Sequence, residues 1–523
     1  MLRTVKTEYG YVEGIPAADP RITAFKGIPF AKPPVGDLRW RAPEPPEPWE
    51  GVRDCARFGP ISMQDRPGNN PKQLYDREWH VDPEIPMSED CLYLNVWTPA
   101  NTGDEKLPVM YWIFGGAFNC GYTAEMEFDG ERIARRGIVL VSVNYRVGVF
   151  GFLAHPELAA EDPEGCYGNY GLLDQAFGLE WVKNNIAAFG GDPDNVTIFG
   201  QSAGGGSVIS LISSPAVRGK KLFHKAIFQS GGGLRKYGQG GAMIPLETAL
   251  ANGSEFFERN GLASLSEARN VPAEEMILMG KAYGGMNKWS PCVDGRFLTE
   301  DPSDTLAKDD YPDIPLMFGC TGGEYEFGRV PGTPSTLEEL KTFAAMKLGE
   351  ESEEFLKLCG VSADEQVKEL SLHDDTFRGR FMNNYLFLLS RIAHGHADNY
   401  MYCFNASMPG WDNPGAFHSS ELWFVFETLA KCWRPFTGKH YDLARIICNY
   451  WTNFAKTGNP NGTDHDGSPM PEWKSASPED HYIHYLNEDY TGAYRDYETP
   501  LLKFTASSIL KKVPGDGSAD PMN

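Results

Sequence analysis

The chain has 523 residues, of which 41% are hydrophobic and 23% charged, and its 30 Phe, 23 Tyr and 12 Trp need a large interior to cover them. Length alone would allow two to four domains, but large α/β folds often remain one unit, and one domain spanning 1–523 is the expectation. A formal charge of −23, from 48 Lys+Arg against 71 Asp+Glu with no basic cluster, repels a phosphate backbone, so nucleic acid is excluded as a partner and the acidity is read as solubility.

From the N-terminus, residues 1–10 alternate as a strand does and lack the apolar run of a signal peptide. No later stretch has the length of an apolar membrane span, so a soluble, unexported chain is expected. Short β-branched or aromatic runs then recur at 109–114, 138–145, 196–199, 226–228, 315–318, 400–404 and 482–485, each reading as a buried strand. Between several of them lie helical patterns such as 170–188, where Leu172, Leu173, Phe177, Leu179, Trp181 and Val182 form an apolar stripe. Strands alternating with helices predict an α/β fold: a large, mostly parallel sheet covered on both faces, with chemistry at the carboxyl ends of its strands. No repeat or linker divides the chain, and only the tail from about residue 514 reads as loose. Ten cysteines occur without a CxxC pair, as reduced thiols would.

Three motifs carry chemistry. The strand at 109–114 runs into Gly115-Gly116-Ala117, a small-residue turn that can expose backbone N–H groups as one arm of an oxyanion hole. The strand at 196–199 runs into Gly200-Gln201-Ser202-Ala203-Gly204 and then a helix-forming segment. A lone GxSxG is weak in a chain with 56 glycines, but strand before and helix after make it a nucleophile elbow that presents Ser202 at a helix N-terminus. His394-Gly395-His396-Ala397-Asp398 has the spacing that opens some two-metal sites; it ends a helical pattern and no further histidine cluster follows, so it is read as helix-terminal charge and no metal or other cofactor is expected.

With these motifs the chain resembles the type-B carboxylesterases, over nearly its whole length. The resemblance runs through Phe25-Lys26-Gly27-Ile28-Pro29-Phe30, Ser88-Glu89-Asp90-Cys91-Leu92, Asn144-Tyr145-Arg146, Gly168-Asn169-Tyr170-Gly171, Phe189-Gly190-Gly191-Asp192-Pro193 and Tyr450-Trp451-Thr452-Asn453-Phe454. It implies an α/β-hydrolase fold, hydrolysis of small carboxylic esters through an acyl-enzyme, and oxyanion N–H groups on Gly116, Ala117 and Ala203. It also implies structural ion pairs Arg39–Glu89 and Arg146–Asp174. The acid of the triad falls on Glu324, with Glu326 two residues on as a rival and Tyr325 where many members have glycine. The base falls on His418. The order Ser202, Glu324, His418 is the α/β-hydrolase order.

Other family features bear on substrate and location. Cholinesterases place a glutamate before the serine and a tryptophan before the SEDC segment; Gln201 and an imperfectly aligned Trp79 disfavour choline esters here. Trp289, Trp423, Phe424 and Phe426 could line a pocket but read more simply as core. Ser62 stands where members often carry a cysteine that pairs with the one at Cys91, which fits a reducing, bacterial cytoplasmic setting. Thioesterase or amidase activity, or a non-catalytic binding role, are the alternatives; oligomeric state is left open.

Overall fold

The computed structural model describes residues 1–65, 72–78, 85–162, 167–284, 288–324 and 333–513. Trp79, Cys166, Tyr325, Glu326 and the tail from 514 lie outside the described residues. Eleven strands form the main sheet: β1 (Ile15–Pro16), β2 (Thr23–Pro29), β3 (Tyr93–Thr98), β4 (Leu107–Ile113), β5 (Val139–Val143), β6 (Gly191–Gln201), β7 (Lys225–Gln229), β8 (Leu316–Thr321), β9 (Asn399–Phe404), β10 (Ile483–Leu486) and β11 (Thr491–Ala493). Their spatial order is β11-β10-β9-β8-β7-β6-β4-β5-β3-β2-β1. The block from β5 to β10 is parallel throughout, and the pairs at both edges are antiparallel. All seven sequence-predicted strands lie in this sheet, and the alternating N-terminus pairs Thr4–Lys6 with Tyr11–Glu13 in a separate small sheet.

The parallel strands read as continuous apolar runs because helices cover both of their faces. Every residue of β5, β7, β8 and β9 is buried. Four helices matter for the site: α1 (Tyr170–Asn185), α2 (Ala203–Ser213), α3 (Gly379–Ala393) and α4 (Gly438–Thr457). Strands β2 and β3 were missed because their pattern is broken. β2 contains Lys26, Gly27 and Pro29 and shifts register between Phe25 and Ile28, while β3 carries Asn95, a buried amide that bonds Thr123, Ser142 and the Gly27 N–H.

Helix α1 also departs from a simple stripe. Leu172, Leu179, Trp181 and Val182 are buried as expected, Leu173 and Phe177 only partly, and Asp174 and Gln175 are fully buried with them. Asp174 is there to receive Arg146: its carboxylate accepts from Arg146 Nε at 2.8 Å, from Nη2 at 2.7 Å and from the Arg146 backbone N–H at 3.0 Å. Arg39 holds Glu89 through two 2.6 Å bonds and donates to the Ala268 and Val271 carbonyls. Both pairs are structural: the first ties the loop after β5 to α1, and the second ties two loops to the segment at 268–271. The cysteines among the described residues form no disulfide, and Ser62 turns its hydroxyl to accept the Val147 N–H at 3.2 Å.

Removing one member of a buried pair strands the other's charge. Asp174→Ala is therefore expected to lower unfolding free energy by about 3–5 kcal/mol, whereas the double change Arg146→Met with Asp174→Leu recovers most of the loss. Urea midpoints of the two variants check this.

Candidate active site

Strand β6 ends at Gln201 and α2 begins at Ala203, so Ser202 must reverse the chain in one residue. It does so at φ 57°, ψ −119°, a strained conformation for a side chain with a Cβ. The backbone bonds on either side hold it there: Ser202 N–H donates to the Gln229 carbonyl at 2.8 Å, and Gly206 N–H donates to the Ser202 carbonyl at 2.9 Å. Such a sharp turn brings strand and helix into contact. A Cβ on Gly200 would meet the Gly204 carbonyl, and one on Gly204 would overlap the Ile113 carbonyl oxygen of β4. The small residues flanking the serine are thus a steric requirement of this local fold.

Glu324 leaves β8 by a tight turn of its own, at φ 42°. Its N–H donates to Thr321 Oγ1 at 3.0 Å, and the Thr321 N–H returns a bond to Glu324 Oε1 at 3.0 Å. The loop bearing His418 comes from the neighbouring strand β9. It is stitched to the β8 loop by the Gly323 N–H to Ala416 carbonyl bond, 2.9 Å, and by a parallel bridge between Glu324 and Phe417. Backbone pairing therefore places the carboxylate beside the imidazole.

The three side chains meet at the carboxyl rim of the sheet. His418 Nδ1 and Glu324 Oε2 are 2.7 Å apart, and His418 Nε2 and Ser202 Oγ are 2.7 Å apart. With Nδ1–H donating to the carboxylate, Nε2 is left to accept from the serine hydroxyl. The imidazole is 13% exposed and Glu324 4%, so the carboxylate is the more deeply buried of the two. Burial pushes His418 down and the Arg380 guanidinium pushes it the same way, against the pull of Glu324, so its pKa lies below the usual imidazole value. Burial pushes Glu324 up, but His418, Arg380 and Ser230 together outweigh it and hold the carboxyl below its ordinary range.

The glycine loop after β4 lies against this turn. A Cβ on Gly115 would sit 2.7 Å from the Gln201 carbonyl oxygen and 3.1 Å from Ser202 Cβ. Gly116, Ala117 and Phe118 take positive φ in succession, 105°, 54° and 62°. Their carbonyls are occupied: Asn119 and Cys120 N–H donate to Gly116 O, the Asn119 amide to Ala117 O at 2.7 Å, and Gly148 N–H to Phe118 O at 2.7 Å. Ala203, at the first position of α2, has an N–H with no acceptor within its own helix.

Several groups at the site had no signal in the motifs. Ser230, one residue past the end of β7, donates its hydroxyl to Glu324 Oε1 at 2.5 Å. Gln229↔Gln201 pairing between β7 and β6 puts it at the same rim as the elbow, so the strand register could have found it. Arg380, in the first turn of α3, lies 2.9 Å from Glu324 Oε2 and is remote in sequence from every motif. Glu421, one turn beyond His418, is buried; its Oε1 accepts from Gln229 Nε2 at 3.4 Å, and burial, then the charge of Glu324, pushes its carboxyl up to about 8.

Other sequence readings resolve as follows. Trp289 packs on Phe256 and Tyr283, Phe424 on Phe404 and Phe436, and Phe426 on Trp112 and Phe199, all as core; Trp423 is fully buried. His394 bonds the Ser390 carbonyl at 2.8 Å, while His396 bonds Asp309 at 2.7 Å, so the two rings serve separate partners. Among the described residues, the His/Cys/Asp/Glu group whose ligand atoms do converge is Asp464, His465 and Asp466 on the surface, with Asp464 already engaged by Arg445 and Asn449.

A mostly parallel sheet with a serine turn after one strand, β6, and a glutamate and a histidine on the loops after two further strands, β8 and β9, defines an α/β-hydrolase. The model of the "Carboxylesterase family" matches residues 2–504, and the chain belongs to that family. It is similar to the fumonisin B1 esterase of Sphingopyxis macrogoltabida, 35% identical over 473 residues that cover 87% of this chain and 82% of that protein. It is equally similar to the para-nitrobenzyl esterase of Bacillus subtilis (strain 168), 35% identical over 479 residues covering 87% and 90%. A solved PNB esterase structure superposes with a TM-score of 0.76 at 32% identity, over 96% of this chain and 99% of that one. The protein is a carboxylic ester hydrolase.

The contact between Gly204 and Ile113 yields a test. Gly204→Ala is expected to destabilise the protein by about 1–3 kcal/mol through overpacking. It should also lower kcat/KM on a p-nitrophenyl ester by roughly 10²-fold, because the serine is displaced from the imidazole. Melting curves and initial rates measure the two effects.

Proposed function

We propose that Ser202 is the nucleophile of this esterase, His418 its general base and Glu324 the acid that orients the base. The supporting observation is the continuous hydrogen-bonded chain from Ser202 Oγ through both imidazole nitrogens to a buried carboxylate, 2.7 Å at each link. His418 Nε2 takes the hydroxyl proton as Ser202 Oγ attacks the ester carbonyl. The carbonyl oxygen becomes an oxyanion and is met by the N–H groups of Gly116, Ala117 and Ala203; the occupied carbonyls of the glycine loop and the free first N–H of α2 favour this assignment. The intermediate collapses with His418 donating the proton to the departing alcohol, leaving an acyl-serine. Water, deprotonated by His418, then attacks the acyl carbonyl and the acid leaves.

The substrate is a small-molecule ester. Gln201, neutral, lies 3.5 Å from His418 Nε2 at the position before the serine, which supports uncharged over cationic alcohols. We further read the chain over 1–523 as one α/β-hydrolase domain, and as cytoplasmic, on the strength of the disulfide-free cysteines among the described residues and of Ser62 standing where a disulfide partner of Cys91 would be.

Ser202→Ala is expected to lose on the order of 10⁴-fold or more in kcat with an unchanged melting temperature, and to escape labelling by a fluorophosphonate. Full labelling of that variant would remove Ser202 from the mechanism. The pH profile gives an independent check. His418 must be neutral to act, and its pKa is depressed, so kcat/KM should fall only as pH drops through a midpoint below the ordinary imidazole value of about 6.5. A midpoint above that value contradicts the assignment of His418 as the buried base.

A further inference from the structure

Arg380 occupies an unfavourable place for a cation. It is the second residue of α3, a helix whose first turn holds no acidic residue, and the positive end of a helix dipole disfavours positive charge there. Arg378, just before the helix, has its own carboxylate, Asp375, at 2.9 Å. Arg380 instead reaches Glu324. Its Nε stands 2.9 Å from Oε2, the same oxygen that accepts from His418 Nδ1, and its Nη1 donates to the Ser230 carbonyl. The other oxygen, Oε1, is filled by the Ser230 hydroxyl and the Thr321 N–H. Imidazole and guanidinium therefore share one carboxylate oxygen.

We propose that Arg380 is a positioning residue of the hydrolytic reaction: by sharing Glu324 Oε2 with His418 it fixes the carboxylate's rotation and limits how strongly that carboxylate favours a protonated imidazole. The proposal rests on the reading of Ser202, His418 and Glu324 as the triad. A guanidinium cation on the same oxygen cancels part of the carboxylate's field at the ring, so the imidazolium is penalised and the neutral base persists to lower pH. The other groups around the dyad do not compete with this effect. Glu421 is pushed up to about 8 by burial and so is uncharged through the acid range. Cys320, Cys403 and Tyr402, which feel the charge of Glu324, are driven upward chiefly by burial and are neutral as well. Asp375 and Arg378 neutralise one another. Among the described residues, Glu324 and Arg380 are the charges that act on the base. The device has a cost in the transition state, where the imidazolium must form, and it widens the acid range in exchange.

The test is the acid limb of kcat/KM for p-nitrophenyl ester hydrolysis in Arg380→Met, Arg380→Gln and Arg380→Lys, with melting curves for each. Both neutral variants should move the midpoint up by about one pH unit, while the lysine variant, which keeps the charge, stays close to the parent. Gln can still donate to the Ser230 carbonyl, so it retains the local hydrogen bond if the methionine variant does not fold. A purely structural role would lower the plateau rate and leave the midpoint in place; that outcome, or a downward shift, overturns the proposal. Ser202→Ala run alongside separates the two levels: an active alanine variant overturns the triad reading itself, whereas an inactive one with unmoved midpoints in the Arg380 variants overturns the role of Arg380 alone.

Discussion

An ionised carboxylate at 4% exposure is a demanding group, because desolvation penalises its charge and every lone pair left empty adds to that penalty. Glu324 meets the demand with three hydrogen-bond donors and one ion-paired guanidinium on two oxygens: the Ser230 hydroxyl and Thr321 N–H on one, His418 Nδ1–H and the Arg380 charge on the other. Each partner comes from a different element. Ser230 follows β7, Thr321 ends β8, His418 lies on the loop after β9 and Arg380 begins α3. The site is thus over-determined, since moving any one of these elements leaves a buried charge incompletely bonded.

The parallel sheet is what lets those elements converge. In a parallel block all carboxyl ends lie at one rim, so residues separated by more than two hundred positions become neighbours without any long loop crossing the core. The elbow adds a steric condition of its own. Gly200, Gly204, Gly205 and Gly231 allow β6, α2 and the end of β7 to approach within backbone contact, and the strained Ser202 backbone is retained because its neighbours on both sides are fixed by hydrogen bonds. Rigidity at this corner is bought with conformations that isolated peptides would avoid.

Much of this was legible in the residues. Apolar runs marked the parallel strands because burial on two faces demands them, and the elbow and the glycine turn announced themselves because few side chains fit there. Two antiparallel strands near one edge were not legible: β2 and β3 carry Lys26, Gly27, Pro29 and Asn95 for local reasons of register and amide bonding. The acid and base came from family resemblance, since a glutamate in a loop and one histidine among eleven have no local pattern. Ser230, Arg380 and Glu421 escaped notice altogether. Their meaning is tertiary, a matter of which strand ends share a rim and which helix begins beside it.

The bridge between Glu324 and Phe417 has a kinetic corollary. Glu324 and the loop bearing His418 are tied by main-chain bonds into one patch, whereas Ser202 sits on a separate corner anchored to β7. Thermal breathing of the rim then displaces glutamate and imidazole together and leaves their mutual alignment intact. The gap that fluctuates is the one between ring and hydroxyl, so under the proposed mechanism warming toward the melting transition erodes proton transfer at Nε2 before it disturbs the tautomer.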